Sequence, residues 1–436
     1  MRWEAVAGVT MATVVVATVA SVVPQCLSDS SNFRSGNSKS VNTDLSGIND
    51  FSFDLYRQLS RNTPAENLFV SPYSIWTALT LTYFGTAGST KTQLEAALRV
   101  TDKASTLRLW RALDVMYAQR AKSQPQYTFN IANRAYFDDL LDLRPCISTI
   151  LRKELQMIDF SDLHRASATI NEFVSTTTKG HIPNLVSPED MADAVMILIN
   201  AAYFKGTWRY QFKPSHTQPR QFFVSPGHSV DVPMMKIKAK FRLVHSTELR
   251  ARVLEVPYAG DAISMLLLLP DLEGVEGFSH TVSALASNTL LEVTKGNVQA
   301  VTVDLLLPKF KMEQMFNEDL MEGLKNLGIR DLFNSSSADL SQFSVNKELV
   351  VSKTIHKAFV EVNEEGTEAA AATAVLTYVR SGFNRAHSFV CNRPFLFLIH
   401  DNQTKNVLFM GAYKKPLTGS YRSTQTDNGN SCATNI

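Results

Sequence analysis

Glu364-Glu365-Gly366-Thr367-Glu368-Ala369-Ala370-Ala371-Ala372-Thr373-Ala374-Val375, continued by Leu376-Thr377-Tyr378-Val379-Arg380-Ser381, is the stretch on which the fold and the function turn. Taken alone it favours an exposed helix, because alanine and glutamate are strong helix formers. Yet it has a glycine as its third residue, contains no proline, and past Gly366 carries one charge, Glu368, before Arg380. Small side chains and a flexible start also suit a segment that must enter a close-packed sheet.

The surrounding chain is long enough for one large domain. Its 436 residues are 44% hydrophobic and 19% charged, with a net charge of +2, so nothing global argues for nucleic acid or an anionic membrane surface. Arg2 precedes an uncharged run from Ala5 to Pro24, which we read as a secretion signal over residues 1–24, the alternative being a membrane anchor. Residues 25–47 are rich in Ser, Asn and Asp and are expected to form a flexible leader; residues 417–436 form a similar tail. Between them, 48–416 has no linker and no repeat and reads as one domain.

Four cysteines, Cys26, Cys146, Cys391 and Cys432, are far apart and have no histidine at metal-ligand spacing. No metal or cofactor is expected, and one or two disulfides are possible, with three full pairings open. Asn334-Ser335-Ser336 and Asn402-Gln403-Thr404 are glycosylation sequons.

Periodicity predicts helices at Phe51 to Leu59, Ile75 to Phe84, Leu107 to Tyr117 and Ile150 to Leu155. Strands are predicted at Val195 to Phe204, Ile263 to Leu269, Val301 to Leu307, Val360 to Val362 and Phe395 to Ile399. Helices thus crowd the first half and strands the second, an α+β layering.

Seven motifs in one order resemble the serpin family of protease inhibitors. They are Asn67-Leu68-Phe69-Val70-Ser71-Pro72-Tyr73-Ser74-Ile75, Asn200-Ala201-Ala202-Tyr203-Phe204-Lys205-Gly206-Thr207-Trp208, Val232-Pro233-Met234-Met235-Lys236, Leu307-Pro308-Lys309-Phe310, His356-Lys357-Ala358, the opening segment, and Asn392-Arg393-Pro394-Phe395. The resemblance implies three β-sheets, eight or nine helices and an exposed reactive-centre loop.

It also implies roles. Glu364, Gly366, Thr367 and Ala369, Ala370, Ala371 and Ala372 match the hinge that slips into the main sheet. As an inserted strand, Thr367, Ala369, Ala371, Thr373 and Val375 share one face and Glu368 falls on the other. Lys309 and Trp208 match the place where the loop enters, with Glu364 paired to Lys309. Ser71, Ser74, Asn200 and His356 match the polar latch beneath the opening, where His356 is a hydrogen-bonding group and not a catalyst.

In the inhibitors of that family the cut falls a fixed distance past the hinge glycine, so the resemblance implies a bait bond at Arg380–Ser381, fourteen residues past Gly366, with Tyr378 and Val379 tuning preference. An arginine there suits a trypsin-like protease, whose specificity pocket holds an aspartate. The Arg-Ser bond and the distance to Asn392 resemble antithrombin, but Gly382-Phe383-Asn384 differ.

The chain has no GxSxG, HExxH or P-loop sequence, so no enzymatic constellation is present. The expected function is therefore a secreted, monomeric inhibitor that traps trypsin-like proteases; the rival is a non-inhibitory carrier, storage protein or chaperone. Arg108, Arg111, Arg120 and Lys122 on the helix near Leu107 are candidates for binding a glycosaminoglycan such as heparin.

Overall fold

The apolar run at Val195 becomes the spine of a five-stranded sheet. The computed structural model describes residue 27 and residues 44–123, 126–295, 298–345, 349–366 and 386–416. Among them are nine helices: α1 (Ser46–Asn62), α2 (Pro72–Tyr83), α3 (Gly88–Leu98), α4 (Lys103–Ser123), α5 (Pro145–Ile150), α6 (Leu163–Thr177), α7 (Gly274–Ser283), α8 (Ser287–Thr294) and α9 (Glu318–Asn326). The strands are β1 (Leu68–Val70), β2 (Tyr127–Asp138), β3 (Leu155–Ile158), β4 (Met196–Gly206), β5 (Gln218–Ser225), β6 (His228–Ser246), β7 (Ala251–Pro257), β8 (Ile263–Pro270), β9 (Val301–Pro308), β10 (Phe310–Phe316), β11 (Lys353–Val362), β12 (His387–Val390), β13 (Phe395–Asp401) and β14 (Val407–Tyr413).

The five-stranded sheet runs β10-β11-β4-β2-β3. Its centre is a parallel pair, β11 on β4, in register from Lys353 opposite Ile197 to Val360 opposite Phe204. The other strands form β1-β14-β13-β8-β7-β6-β9-β12, with β5 also on β6. The 19-residue β6 belongs to two sheets at once, pairing β7 at its end and β5 and β9 along its earlier length. The three expected sheets are therefore present, two of them fused through β6.

Each face of the five-stranded sheet has its own core. One carries Ala132, Tyr136, Ile197, Ile199, Ala201 and Tyr203 against Ala166, Ile170 and Val174 of α6. The other packs on α2, all twelve of whose residues are buried. A helix enclosed on every side needs no amphipathic stripe, and α2 accordingly carries no charged residue, its Ser74, Thr77, Thr80 and Thr82 being buried with the apolar side chains. Ser71 starts it as N-cap, accepting the Ser74 N–H, and Pro72 follows in the first turn.

Three expectations change. The predicted helix from Ile150 to Leu155 stops at Ile150, because Leu155 pairs in parallel with Ala135. The spacing of Leu151 and Leu155 imitates a helical face, and tertiary pairing overrides it. Strands are not confined to the second half, since β2 lies between α4 and α5. The leader is not wholly loose either: Leu27 is 4% exposed and belongs to the main core.

Cys146 is disulfide-bonded and Cys391 is free and buried, which rules out two disulfides among four cysteines. Burial pushes the Cys391 thiol well above its usual range, so it is inert.

Candidate functional site: the head and latch of the β11–β4 seam

Where β11 ends, the chain makes a tight turn against the loop that follows β4. Gly366 donates back to the Asn363 carbonyl at 3.2 Å and has φ +96. A Cβ here would lie 2.3 Å from the Gly206 carbonyl oxygen and 2.4 Å from the Trp208 nitrogen, so glycine is required by both conformation and space.

Trp208 closes the turn. Its backbone N–H donates to the Glu365 carbonyl at 3.0 Å and its indole Nε1 to the Asn363 carbonyl at 2.9 Å. Its ring stacks on Tyr258 at 4.3 Å and meets Phe212 edge-on. The Phe212 N–H donates to the Glu364 carbonyl at 2.8 Å.

The Glu364 carboxylate is held on both oxygens, Oε2 by Lys309 Nζ and Oε1 by the Thr217 hydroxyl, each at 2.8 Å. Burial pushes its pKa up, but the hydrogen bonds from Lys309, its own backbone and Thr217, with the lysine charge, outweigh burial and leave it below the usual carboxylate value. The paired charges expected at the loop's departure are thus joined by a third partner.

Halfway down the seam lies the latch. His356, Asn200 and Asn133 stand in one row across three strands, His356 opposite Asn200 and Asn200 opposite Asn133. His356 Nε2 accepts the Ser71 backbone N–H at 3.2 Å. That nitrogen therefore carries no proton, and Nδ1–H donates to Asn200 Oδ1.

Asn200 Nδ2 donates to the Ser74 carbonyl at 3.0 Å, the Ser74 hydroxyl and Asn133 Oδ1. Asn133 Nδ2 reaches the Ser74 carbonyl at 3.2 Å and Thr77. The Ser71 hydroxyl donates to Leu408 O of β14 at 2.7 Å. Ser71, Ser74, Asn200 and His356 are all buried, and burial pulls His356 down to about 3, so it stays neutral.

The structure brings together every expected latch residue, and Glu364, Gly366, Lys309 and Trp208 at the head. Asn133, Thr217, Phe212 and Tyr258 were not foreseen. Thr367, Ala369, Ala370, Ala371, Ala372, Tyr378, Val379, Arg380 and Ser381 lie outside the described residues.

The α4 cations do not form one open patch. Arg111 is bound through two nitrogens to Glu154, at 2.5 and 3.2 Å, and Arg120 is paired with the buried Asp401. Arg108 and Lys122 are the exposed members. The sequons also differ. Asn334 is exposed, whereas Asn402 Nδ2 donates to Asp261 O and Ser264 Oγ, each at 2.8 Å. Among the described residues no group of three metal-ligating side chains occurs, and no helix is long and apolar enough to cross a membrane.

Comparison with known proteins matches this architecture. The family model described as Serpin (serine protease inhibitor) covers residues 46–416. Ipis-1 of Ixodes persulcatus is 39% identical over 84% of this chain and 98% of its own length. Leukocyte elastase inhibitor of Homo sapiens is 36% identical over 84% of this chain and 97% of its own. Among solved structures, uncleaved ovalbumin superposes with a TM-score of 0.74 at 30% identity, covering 86% of this chain and 100% of that one. Maspin gives a TM-score of 0.77 at 26% identity, covering 86% and 99%.

Proposed function

This chain belongs to the serpin family, and on that premise we propose that it is a secreted suicide-substrate inhibitor of a trypsin-like serine protease, cut at Arg380–Ser381. The observation that carries the reading is the parallel β11–β4 seam with the hinge turn at its head. The chain leaves β11 at Gly366 and must reverse, so a segment returning into the seam runs antiparallel to both neighbours. One parallel ladder is then exchanged for two antiparallel ones, which are slightly more stable per residue. About ten net hydrogen bonds at ~0.5 to 1.5 kcal/mol each supply a drive of order 10 kcal/mol before entropy.

The chemistry divides between the two proteins. The protease serine oxygen adds to the Arg380 carbonyl carbon, and the bond to the Ser381 nitrogen breaks. The departing amine takes its proton from the protease histidine, and an ester to Arg380 remains. Cutting releases one end of a loop otherwise tethered at Gly366 and at β12. Insertion then carries the ester-linked protease away before water completes hydrolysis. Small residues from Thr367 to Val375 suit burial, and the uncharged alternation past Glu368 leaves no carboxylate to desolvate. The disulfide at Cys146 supports an oxidising compartment, in keeping with export.

The test is incubation with trypsin, chymotrypsin and elastase, resolved on a denaturing gel with mass spectrometry of the released fragment. A denaturant-resistant complex with trypsin and a fragment beginning at Ser381 is expected. Cleavage there without a complex would leave a non-inhibitory carrier, storage protein or chaperone instead.

A further inference from the structure

We propose that the cleft between the last turn of α9 and the single helical turn Asp331–Phe333 is a seat for the protein's own sugar. The first N-acetylglucosamine of a glycan on Asn334 lies in it against the Phe333 ring and fastens the approach to β11.

The cleft has a volume of about 460 Å³ and is lined by Lys325, Arg330, Phe333, Asn334 and Ser335. That is within the roughly 300–1,000 Å³ of clefts that hold small ligands. Phe333 is half-buried and supplies the apolar wall, while the other four residues are exposed. Lys325 Nζ stands 5.9 Å from the centre of the Phe333 ring, and Arg330 Nε donates to the Lys325 carbonyl at 3.4 Å. Neither cation has an ion pair among the described residues. An aromatic face edged by N–H donors is complementary to a pyranose, whose C–H face covers the ring while its hydroxyl and acetamido oxygens accept from the donors.

Asn334 names the occupant. Its Oδ1 accepts the Ser336 N–H at 2.9 Å, and among the described residues its Nδ2 has no acceptor, unlike that of Asn402. Its backbone is fixed on both sides, the N–H donating to Asp331 O at 3.0 Å and the carbonyl accepting from Ser337 and Ala338 at 3.1 and 2.8 Å. Attachment needs a lipid-diphosphate oligosaccharide as donor. Asn334 Nδ2 bonds to C1 of the sugar and gives up one proton, and the C1–O bond breaks as the lipid diphosphate leaves with its electrons. A cleft this open holds a free sugar weakly, but a sugar bonded to its wall is present at an effective concentration of millimolar or above.

The seat matters for what it joins. The N–H groups of Arg330 and Asp331 both donate to Gln93 Oε1 of α3 at 2.9 Å, and Leu332 O accepts the Val351 N–H at 3.3 Å, two residues before β11 begins. A sugar that binds the folded turn stabilises it, and with it the segment that feeds β11.

The test uses protein from a secretory host, with occupancy read by glycopeptide mass spectrometry. Three forms are compared: fully glycosylated, trimmed by an endoglycosidase to one N-acetylglucosamine, and Ser336→Ala, which breaks the sequon but keeps Asn334 and its bond to the residue 336 N–H. Hydrogen exchange at residues 329–334 and 349–352 should be alike in the first two forms and about threefold faster in the third. In Phe333→Leu, which keeps apolar bulk without a ring, trimmed and Ser336→Ala forms should exchange alike. An unoccupied Asn334, protection lost on trimming to one sugar, or protection that persists without the ring would each overturn the seat. All three outcomes leave protease trapping untouched, and a protein that traps no protease leaves the seat standing.

Discussion

His356 and Asn200 face each other across the β11–β4 seam, and the imidazole Nδ1–H donates to the amide oxygen while Nε2 is held by the backbone of Ser71. The ring is neutral because both nitrogens are committed and burial excludes the charge.

Its folded pKa of about 3 lies below the ordinary 6.5, so the unfolded chain binds the proton first. The stabilisation is whole above pH 6.5 and falls as pH drops toward 3. Between pH 7 and pH 5 the loss from this one group is about 2 kcal/mol. Denaturant midpoints at the two pH values should show a smaller pH dependence for His356→Gln than for the unmodified protein, and an identical dependence would remove the linkage from His356.

Lys309→Ala leaves the Glu364 carboxylate mostly buried with only Thr217 as side-chain partner. Because Lys309 is 45% exposed, the expected destabilisation is modest, about 1 kcal/mol at pH 7. Glu364 titrates below its usual value of 4.5, so the pair's contribution is present above that pH and is lost as pH falls below it. Urea midpoints of the two proteins should therefore converge at acid pH.

Gly366→Ala introduces a methyl group where the Gly206 oxygen and Trp208 nitrogen already stand. The turn must open, and Trp208 loses the acceptors of both its N–H groups. A cost above ~1 kcal/mol and a red-shifted tryptophan emission are expected.

Thr367→Arg places a cation on the face that insertion buries, so the chain should be cleaved by trypsin without forming a stable complex. Arg380→Ala should remove trypsin inhibition altogether, a loss of at least ~2 kcal/mol in association. Unimpaired trapping by the first variant would falsify the insertion step; unimpaired trypsin inhibition by the second would move the bait bond elsewhere.

In a secretory host, Asn334→Gln should remove one glycan from the protein's mass. Asn402→Gln should remove none, because its Nδ2 already serves Asp261 and Ser264; it should instead lower the unfolding midpoint. A glycan on Asn402 would contradict the folded arrangement of that loop.

Much of this was legible because the motif residues act locally on the backbone that carries them. Gly366, the Ser71–Pro72 start of α2 and β4, buried from Met196 to Phe204, each leave a mark in a short window. Strand β2 left none, since Asn130, Asn133 and Arg134 interrupt its apolar alternation, and with it went Asn133 of the latch. The α4 cations misled for another reason. Glu154 lies 43 residues from Arg111 and Asp401 lies 281 from Arg120, so no window contains both members of either pair.

The latch divides unevenly. His356 is fastened to the Ser71 end of α2, and Asn200 and Asn133 to Ser74 one turn along the same helix. Among the latch side chains described, one hydrogen bond, His356 to Asn200, runs directly from β11 to β4. Parting the strands at this level can sever that link while each leaf of the sheet keeps its own fastening to α2, so the side-chain cost of opening is that of about one bond, ~1 kcal/mol. Helix α2 is then the fixed post on which both leaves hang, and a sheet whose central strand is buried from Met196 to Phe204 can open without first dismantling its core.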